Sequence, residues 1–184
     1  MSIDIKEPVK KPNMLAFKCA LIYAAYFIAM TYLLKYLGVT SNDPSKMSVG
    51  ENVIAQVLTY VPFFLAIVYV QTEFKKALGG YISFGKAFSS GFTVAAYTGL
   101  FTALASLIYF KVLDPASYTE MIEAIQAKAA DANNGAGAEG FEKMRSFMVY
   151  MIVFGIAVGY TFYGLVVSLI SAAIIKKTAP LYED

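Results

Sequence analysis

The chain has 184 residues, of which 58% are hydrophobic and 15% are charged. A soluble domain carries charge on about a quarter of its residues, so this composition excludes an ordinary soluble protein. The net charge of +2 is too small to favour a nucleic-acid partner. A single cysteine, Cys19, excludes an internal disulfide, and the absence of histidine removes the commonest metal ligand, so neither a metal nor a cofactor is expected.

Four apolar stretches are long enough to cross a membrane as helices, which takes about 20 residues each. They lie at about 14–38, 52–72, 87–110 and 147–175. The apolar core of the first is too long for a cleavable signal peptide, and no small-residue cleavage site follows it. The sequence therefore predicts one all-α membrane domain over residues 1–184, with four spanning helices and direct contact with the lipid bilayer.

The second stretch carries two local signals. Ser48–Glu51 is typical of a capping box at the start of a helix. Pro62 lacks the N–H that would bond to the carbonyl of Leu58, so a kink is expected in the middle of this span. Membrane helices tolerate such a proline when neighbouring groups satisfy the freed carbonyl.

Lysine and arginine are unevenly distributed between the two sides of the predicted spans. Nine of the fifteen lie in the N-terminal segment, in the connection between the second and third spans, or at the C-terminus. The positive-inside rule therefore predicts that both termini are cytoplasmic. Helical spans also favour the bacterial inner membrane, because outer-membrane proteins are usually barrels.

The segment Gly80–Ala87, GYISFGKA, has the spacing of a phosphate-binding loop, but Ala87 stands where a hydroxyl should bind Mg²⁺. It follows an apolar span rather than a strand, so no nucleotide is expected. A turn between two spans explains these residues better. Gly79 or Gly80 would adopt the left-handed conformation that ends a helix, and Ser83 would cap the next one.

This turn would lie at the depth of the lipid head groups, where lysine faces anionic lipid and tyrosine favours the interface. A binding site for a head group or a partner remains an alternative there. The residues predicted at this interface are Lys75, Lys76, Tyr81 and Lys86.

Two motifs resemble a known family. A Gly-Gly pair leads into YISFGKAF over residues 79–88, and Asp114–Pro115 opens a helix after the third span. Together with the layout of the whole chain, they resemble the bacterial family of domain of unknown function 4199, whose members are small four-span membrane proteins, mostly from Bacteroidota. The resemblance implies a topology and no catalytic residues.

Residues 111–146 are predicted to form an extracytoplasmic, amphipathic helical hairpin between the third and fourth spans. Asp114 can cap a helix that has Pro115 at its first position, and Ser117–Glu120 offers a second register. One face would cover the ends of the spans, lie on the lipid surface or dock a partner, and 133–140 predicts a flexible break. The apolar residues of that face are Tyr118, Met121, Ile122, Ile125 and Ala129.

Small residues recur every four positions in the third span and, in two successive runs, in the fourth. Such rows let helix backbones approach closely, either between these two spans or between copies of the chain. The residues predicted to pack helices are Gly91, Ala95, Gly99, Ala103, Gly155, Gly159, Gly164 and Ser168.

The deep parts of the four spans contain no charged side chain, which argues against a proton-coupled pump and against carboxylate catalysis. We therefore expect no enzyme, and favour an accessory or scaffold subunit that acts through helix–helix association in a homo-oligomer or a membrane-protein complex. The alternative is a small transporter, channel or lipid-binding bundle with a neutral polar pocket beside the kink. Its predicted residues are Gln56, Thr59, Pro62, Tyr97 and Tyr160.

Overall fold

The computed structural model describes residues 12–39, 47–132 and 138–178. Apart from one isolated backbone pairing, the regular structure in these ranges is helical. A short π-helical segment, Tyr109–Leu113, continues the third helix. The helices are α1 (Asn13–Tyr36), α2 (Val49–Ala77), α3 (Phe84–Ile108), α4 (Pro115–Ala132) and α5 (Ala138–Ile175).

The predicted all-α fold with four spans is confirmed. By length and hydropathy, α1, α2, α3 with its π-helical extension, and the greater part of α5 can each cross a membrane. Successive spans run in opposite directions. One end of the bundle therefore carries the start of α1, the connection between α2 and α3, and the end of α5. The opposite end of the bundle carries α4.

Both predicted helix caps that involve a carboxylate form as expected. The Ser48 hydroxyl accepts a hydrogen bond from the Glu51 amide (3.2 Å), and the Glu51 carboxylate accepts one from the Ser48 amide (2.7 Å). At α4, Asp114 accepts a hydrogen bond from the Ser117 amide (3.1 Å). Helix α4 therefore begins at Pro115, and the second register that starts at Ser117 is not used.

The outer part of the predicted hairpin is continuous with the fourth span. Helix α5 runs for 38 residues, well beyond the roughly 20 that the hydrocarbon core requires. Residues 133–137 of the predicted break lie outside the described residues, and α5 begins directly after them at Ala138.

Helix α3 lies at the centre of the bundle. Half of its spanning residues are buried (50%), against 22%, 17% and 22% in the other three spans. It packs most extensively against α5 and next against α1 and α2. Small residues make this position possible, because the buried face of α3 is largely alanine, glycine, serine and threonine and allows three helices to approach it.

The turn between α2 and α3 is tied to the end of α5. Ile82 and Lys177 exchange two backbone hydrogen bonds of 2.9 Å each. Gly79 and Gly80 both have positive φ, +80° and +88°, as the predicted helix end requires. Ser83 occupies the N-cap position of α3, but its side chain makes no capping hydrogen bond, so that part of the prediction was wrong.

Candidate functional site

Three of the predicted packing glycines lie at close contacts inside the bundle. A Cβ atom on Gly99 of α3 would stand 2.7 Å from the Ala157 carbonyl oxygen of α5, and one on Gly164 would stand 2.4 Å from the Ala95 Cβ atom. A Cβ atom on Gly91 would meet the Gln71 amide nitrogen at 2.4 Å. Gly99 and Gly164 therefore require glycine for α3 and α5 to approach so closely, whereas a methyl group at Gly91 would have to displace the Gln71 side chain.

Gly155 and Gly159 lie elsewhere. A Cβ atom on either residue would meet nothing within 4 Å, and both residues are exposed on the outer face of α5. Large apolar side chains surround them on this face, including Phe154 (69% exposed) and Phe162 (67% exposed). The structure therefore divides the predicted packing set: Ala95, Ala103 and Ser168 are buried with the three close-contact glycines, whereas Gly155 and Gly159 face away from the bundle.

Tyrosines of α1 satisfy the backbone of α2 beside Pro62. The Tyr26 hydroxyl donates to the Leu58 carbonyl at 2.7 Å, and the Tyr23 hydroxyl lies 2.8 Å from the Thr59 carbonyl. Tyr23 also lies 3.2 Å from the hydroxyl of buried Tyr160. Tyr23 and Tyr26 were not predicted from the sequence to have this role. Their three-residue spacing places both on one face of α1, which is the pattern that could have indicated it.

Aromatic rings pack beside Pro62, which lies within the continuous helix α2. Phe63 and Tyr160 pack edge-on with ring centres 5.5 Å apart, and Tyr60 packs against Tyr163 at 4.7 Å. Gln56 is exposed on α2, while Tyr97 lies against Phe17 and Phe101. The structure therefore does not gather the five predicted pocket residues into one pocket.

A cavity of about 470 Å³ lies instead near the α4 end of the bundle. Residues of all five helices and of the π-helical segment line it, and Thr59 is the one predicted pocket residue among the described lining residues. Most of the lining is apolar. Its polar and charged members are Thr31, Lys35, Thr59, Ser106, Tyr109 and Lys128.

A network of charged and hydroxyl groups borders this cavity. The Lys35 ammonium nitrogen lies 2.6 Å from an Asp114 carboxylate oxygen and 2.6 Å from the Ser117 hydroxyl. The Tyr109 hydroxyl donates to the same carboxylate at 2.9 Å. Burial opposes ionisation of Asp114, but the hydrogen bonds from Lys35, Ser117 and Tyr109 outweigh it and hold its pKa well below the usual range. The network links the end of α1 to the start of α4.

Gln71 is a further residue for which the sequence predicted no role. Its side chain is fully buried, and its amide nitrogen lies 3.1 Å from the Ala87 carbonyl and 3.3 Å from the Ser168 carbonyl. One amide thereby joins α2, α3 and α5. The sequence feature that could have indicated this role is the position of Gln71 near the end of a span, opposite the small residues of two other spans.

The four residues predicted at the head-group interface share the end of the bundle opposite α4. The Lys75 ammonium donates to the Ile175 carbonyl at the end of α5 (2.9 Å), and Lys76 pairs with Glu73 (2.7 Å). Tyr81 lies beneath the Lys177 ammonium, 5.3 Å from its ring centre. Lys86 borders a smaller cavity of about 300 Å³.

Comparison with known proteins identifies a family. The family described as "Protein of unknown function (DUF4199)" matches residues 18–177, which is the larger part of the chain and includes α2 to α5 and all but the start of α1. Searches of curated proteins and of solved structures found no match. The family predicted from the Gly79–Phe88 and Asp114–Pro115 motifs is confirmed: the chain is an integral, multi-pass membrane protein that belongs to the DUF4199 family.

Proposed function

We propose that the chain is a non-enzymatic membrane protein that acts through lateral association of its helices, either with a second copy or as an accessory subunit of a larger complex. The observation that carries this proposal is the position of Gly155 and Gly159. They form a small-residue pair on the outer face of α5, where a Cβ atom would meet nothing within 4 Å. The bundle itself does not use this pair.

An outward-facing pair of this kind suits a second helix. Small residues four positions apart let two helix backbones approach closely, which favours association where lipid supplies no hydrophobic drive. Phe154 and Val158 border the pair and are exposed, so they supply apolar surface on both sides of the shallow groove that the glycines leave. No charge accompanies this face over Met151–Phe162.

The proposal also includes a place and an orientation. The protein would lie in the bacterial inner membrane with both termini in the cytoplasm. Support comes from the clustering of basic residues at one end of the bundle, where Lys75, Lys86 and Lys177 lie around the same turn. Helix α4 and the larger cavity would then lie on the extracytoplasmic side.

Replacement of both outer glycines tests the association. The variant Gly155→Leu with Gly159→Leu fills the groove without a clash inside the bundle, so the monomer should keep its fold. Native mass spectrometry of the chain, extracted gently from its own membranes, should then show loss of the oligomer or partner. Ala29→Leu, at an exposed alanine of α1, is the matched control; equal assembly in all three proteins would refute the role of this face.

A second candidate function is the binding of a small lipid or solute, and the cavity of about 470 Å³ favours it. Ligand pockets are typically about 300–1,000 Å³ and mostly apolar, with a few polar groups that orient the ligand. This cavity has that size and that kind of lining. Co-purification of a bound molecule whose occupancy falls when Ala55 is replaced by Phe would support this function.

A further inference from the structure

The lining of the larger cavity changes along α1 from an apolar side chain to a charged one. Its α1 lining includes Phe27, Thr31 and Lys35, which are four residues apart and therefore share a helix face. From Phe27 to Lys35 the helix rises about 12 Å. Phe27 lies at the deep end of the cavity, in the middle of a span, whereas Lys35 lies in the last turn of α1.

Helix α4 covers the cavity with one face. Met121, Ala124, Ile125 and Lys128 line it, at the spacing of three, four and seven residues that defines one side of a helix. Ile122, beside this face, is 1% exposed and anchors α4 to the bundle. Helix α4 therefore contributes three apolar side chains to the lining, and Lys128 adds a second ammonium group.

Two lysines are the charged members of this lining among its described residues, and a carboxylate just outside it pairs with one of them. Lys35 and Lys128 line the cavity, and no carboxylate does so among the described lining residues. Asp114 binds Lys35 from the side of α4 at 2.6 Å, which fixes the position of the ammonium group. Lys35 donates to Asp114 and Ser117, and an ammonium group has three hydrogens to donate.

The cavity is a partly open cleft rather than a sealed void, and Ile125 of its lining is 36% exposed. Its apolar depth suits a hydrocarbon chain, which gains free energy by leaving water. Its cationic end suits a carboxylate or phosphate, which forms strong charge-assisted hydrogen bonds with ammonium groups. The two ends together match a molecule with an acidic head and an apolar chain.

We propose that the cavity beneath α4 binds an anionic amphiphile, with its acidic head at Lys35 and Lys128 and its acyl chain directed toward Phe27 and Ile156. This inference rests on the second candidate function, because it names the ligand class for the same cavity. The shared chemistry fits a free fatty acid or an anionic phospholipid with one chain inserted.

Binding of hexadecanoate to the full chain in phosphatidylcholine nanodiscs tests the proposal. Hexadecanol has the same chain without the charge and serves as the matched ligand. We expect saturable binding of one hexadecanoate for each chain, and at least tenfold weaker binding of hexadecanol. Competition by phosphatidylglycerol incorporated in the nanodisc distinguishes the two sources: displacement of hexadecanoate assigns the site to a phospholipid, and no displacement assigns it to the free acid.

Two variants with matched controls locate the site. Ala55→Phe fills the cavity from α2 and should weaken hexadecanoate binding at least tenfold, whereas Val57→Phe, at an exposed residue of the same helix, should not. Lys128→Gln should weaken it about five- to tenfold. Lys111→Gln removes a lysine at the same end of the bundle, where it contacts Tyr150 outside the cavity lining, and should leave binding unchanged.

The outcomes separate the ligand class from the function of the cavity. Equal binding of hexadecanoate and hexadecanol, both abolished by Ala55→Phe, would overturn the anionic class and leave a binding cavity. Failure of either ligand to bind, or binding that Ala55→Phe does not change, would overturn the proposal together with the second candidate function.

Discussion

The hydroxyl of Tyr26 on α1 donates a hydrogen bond of 2.7 Å to the carbonyl of Leu58 on α2, the carbonyl that Pro62 leaves without its helical partner. An unsatisfied carbonyl is costly in a bilayer, where no water can replace the lost bond. The bond therefore compensates for the proline and joins two spans at the same point.

Removal of this hydroxyl should destabilise the bundle only while Pro62 is present. Tyr26→Phe should lower the free energy of unfolding by about 1 kcal/mol. In a Pro62→Ala background, the new amide can donate to Leu58 and the cost of Tyr26→Phe should fall markedly. Equilibrium unfolding of the four proteins in detergent measures both costs, and equal costs in the two backgrounds would contradict the assigned role of Tyr26.

The two kinds of glycine should respond differently to a methyl group. Gly99→Ala places a Cβ atom 2.7 Å from a backbone oxygen of α5, so it should lower the free energy of unfolding by about 1–3 kcal/mol. Gly155→Ala meets empty space, and the better helix propensity of alanine should leave stability unchanged or raise it by up to about 1 kcal/mol. Thermal unfolding of the two variants and the parent protein measures these changes. A similar loss of stability in both variants would contradict the prediction and show that the outer face of α5 is already covered.

The ionisation of Asp114 should make the contact between α1 and α4 sensitive to acid. Its pKa is depressed in the folded protein, so its contribution to stability is complete above the unfolded pKa of about 4 and is lost as the pH falls below it. Asp114→Asn should therefore destabilise the protein by about 1–2 kcal/mol at pH 7, and this difference should shrink below about pH 4.

Unfolding of both proteins at pH 7, 5 and 3 measures this difference. Glu123→Gln, which removes a carboxylate at an exposed position of the same helix, provides the matched control. A destabilisation by Asp114→Asn that is constant from pH 7 to pH 3 would mean that the carboxylate charge contributes nothing to the contact.

The orientation in the membrane can be measured by cysteine labelling. Cys19 is the single cysteine, so Cys19→Ser provides a background without thiols. Ser83→Cys and Glu123→Cys then place one exposed thiol at each end of the bundle. A membrane-impermeant maleimide applied to spheroplasts should label residue 123 at once and residue 83 only after lysis, and the reverse pattern would invert the proposed orientation.

Sequence by itself determined the spans and several local features. Length and hydropathy define four helices, because a helix that crosses lipid must be apolar over its whole length. The two carboxylate caps and the positive φ values of Gly79 and Gly80 were also predictable, since these features depend on residues a few positions apart. The same is true of the need to satisfy the Leu58 carbonyl.

The tertiary structure alone decided which residues of different helices contact one another. From Gly155 to Gly159 the helix turns by about 40°, but from Gly159 to Gly164 it turns by about 140°, so the two parts of the small-residue row lie on different faces of α5. Only the packing of α3 against Gly164 shows which face is inside. The cavity likewise depends on how α4 lies across the bundle, because it combines residues of five helices that are distant in the sequence and have no periodic relation to one another.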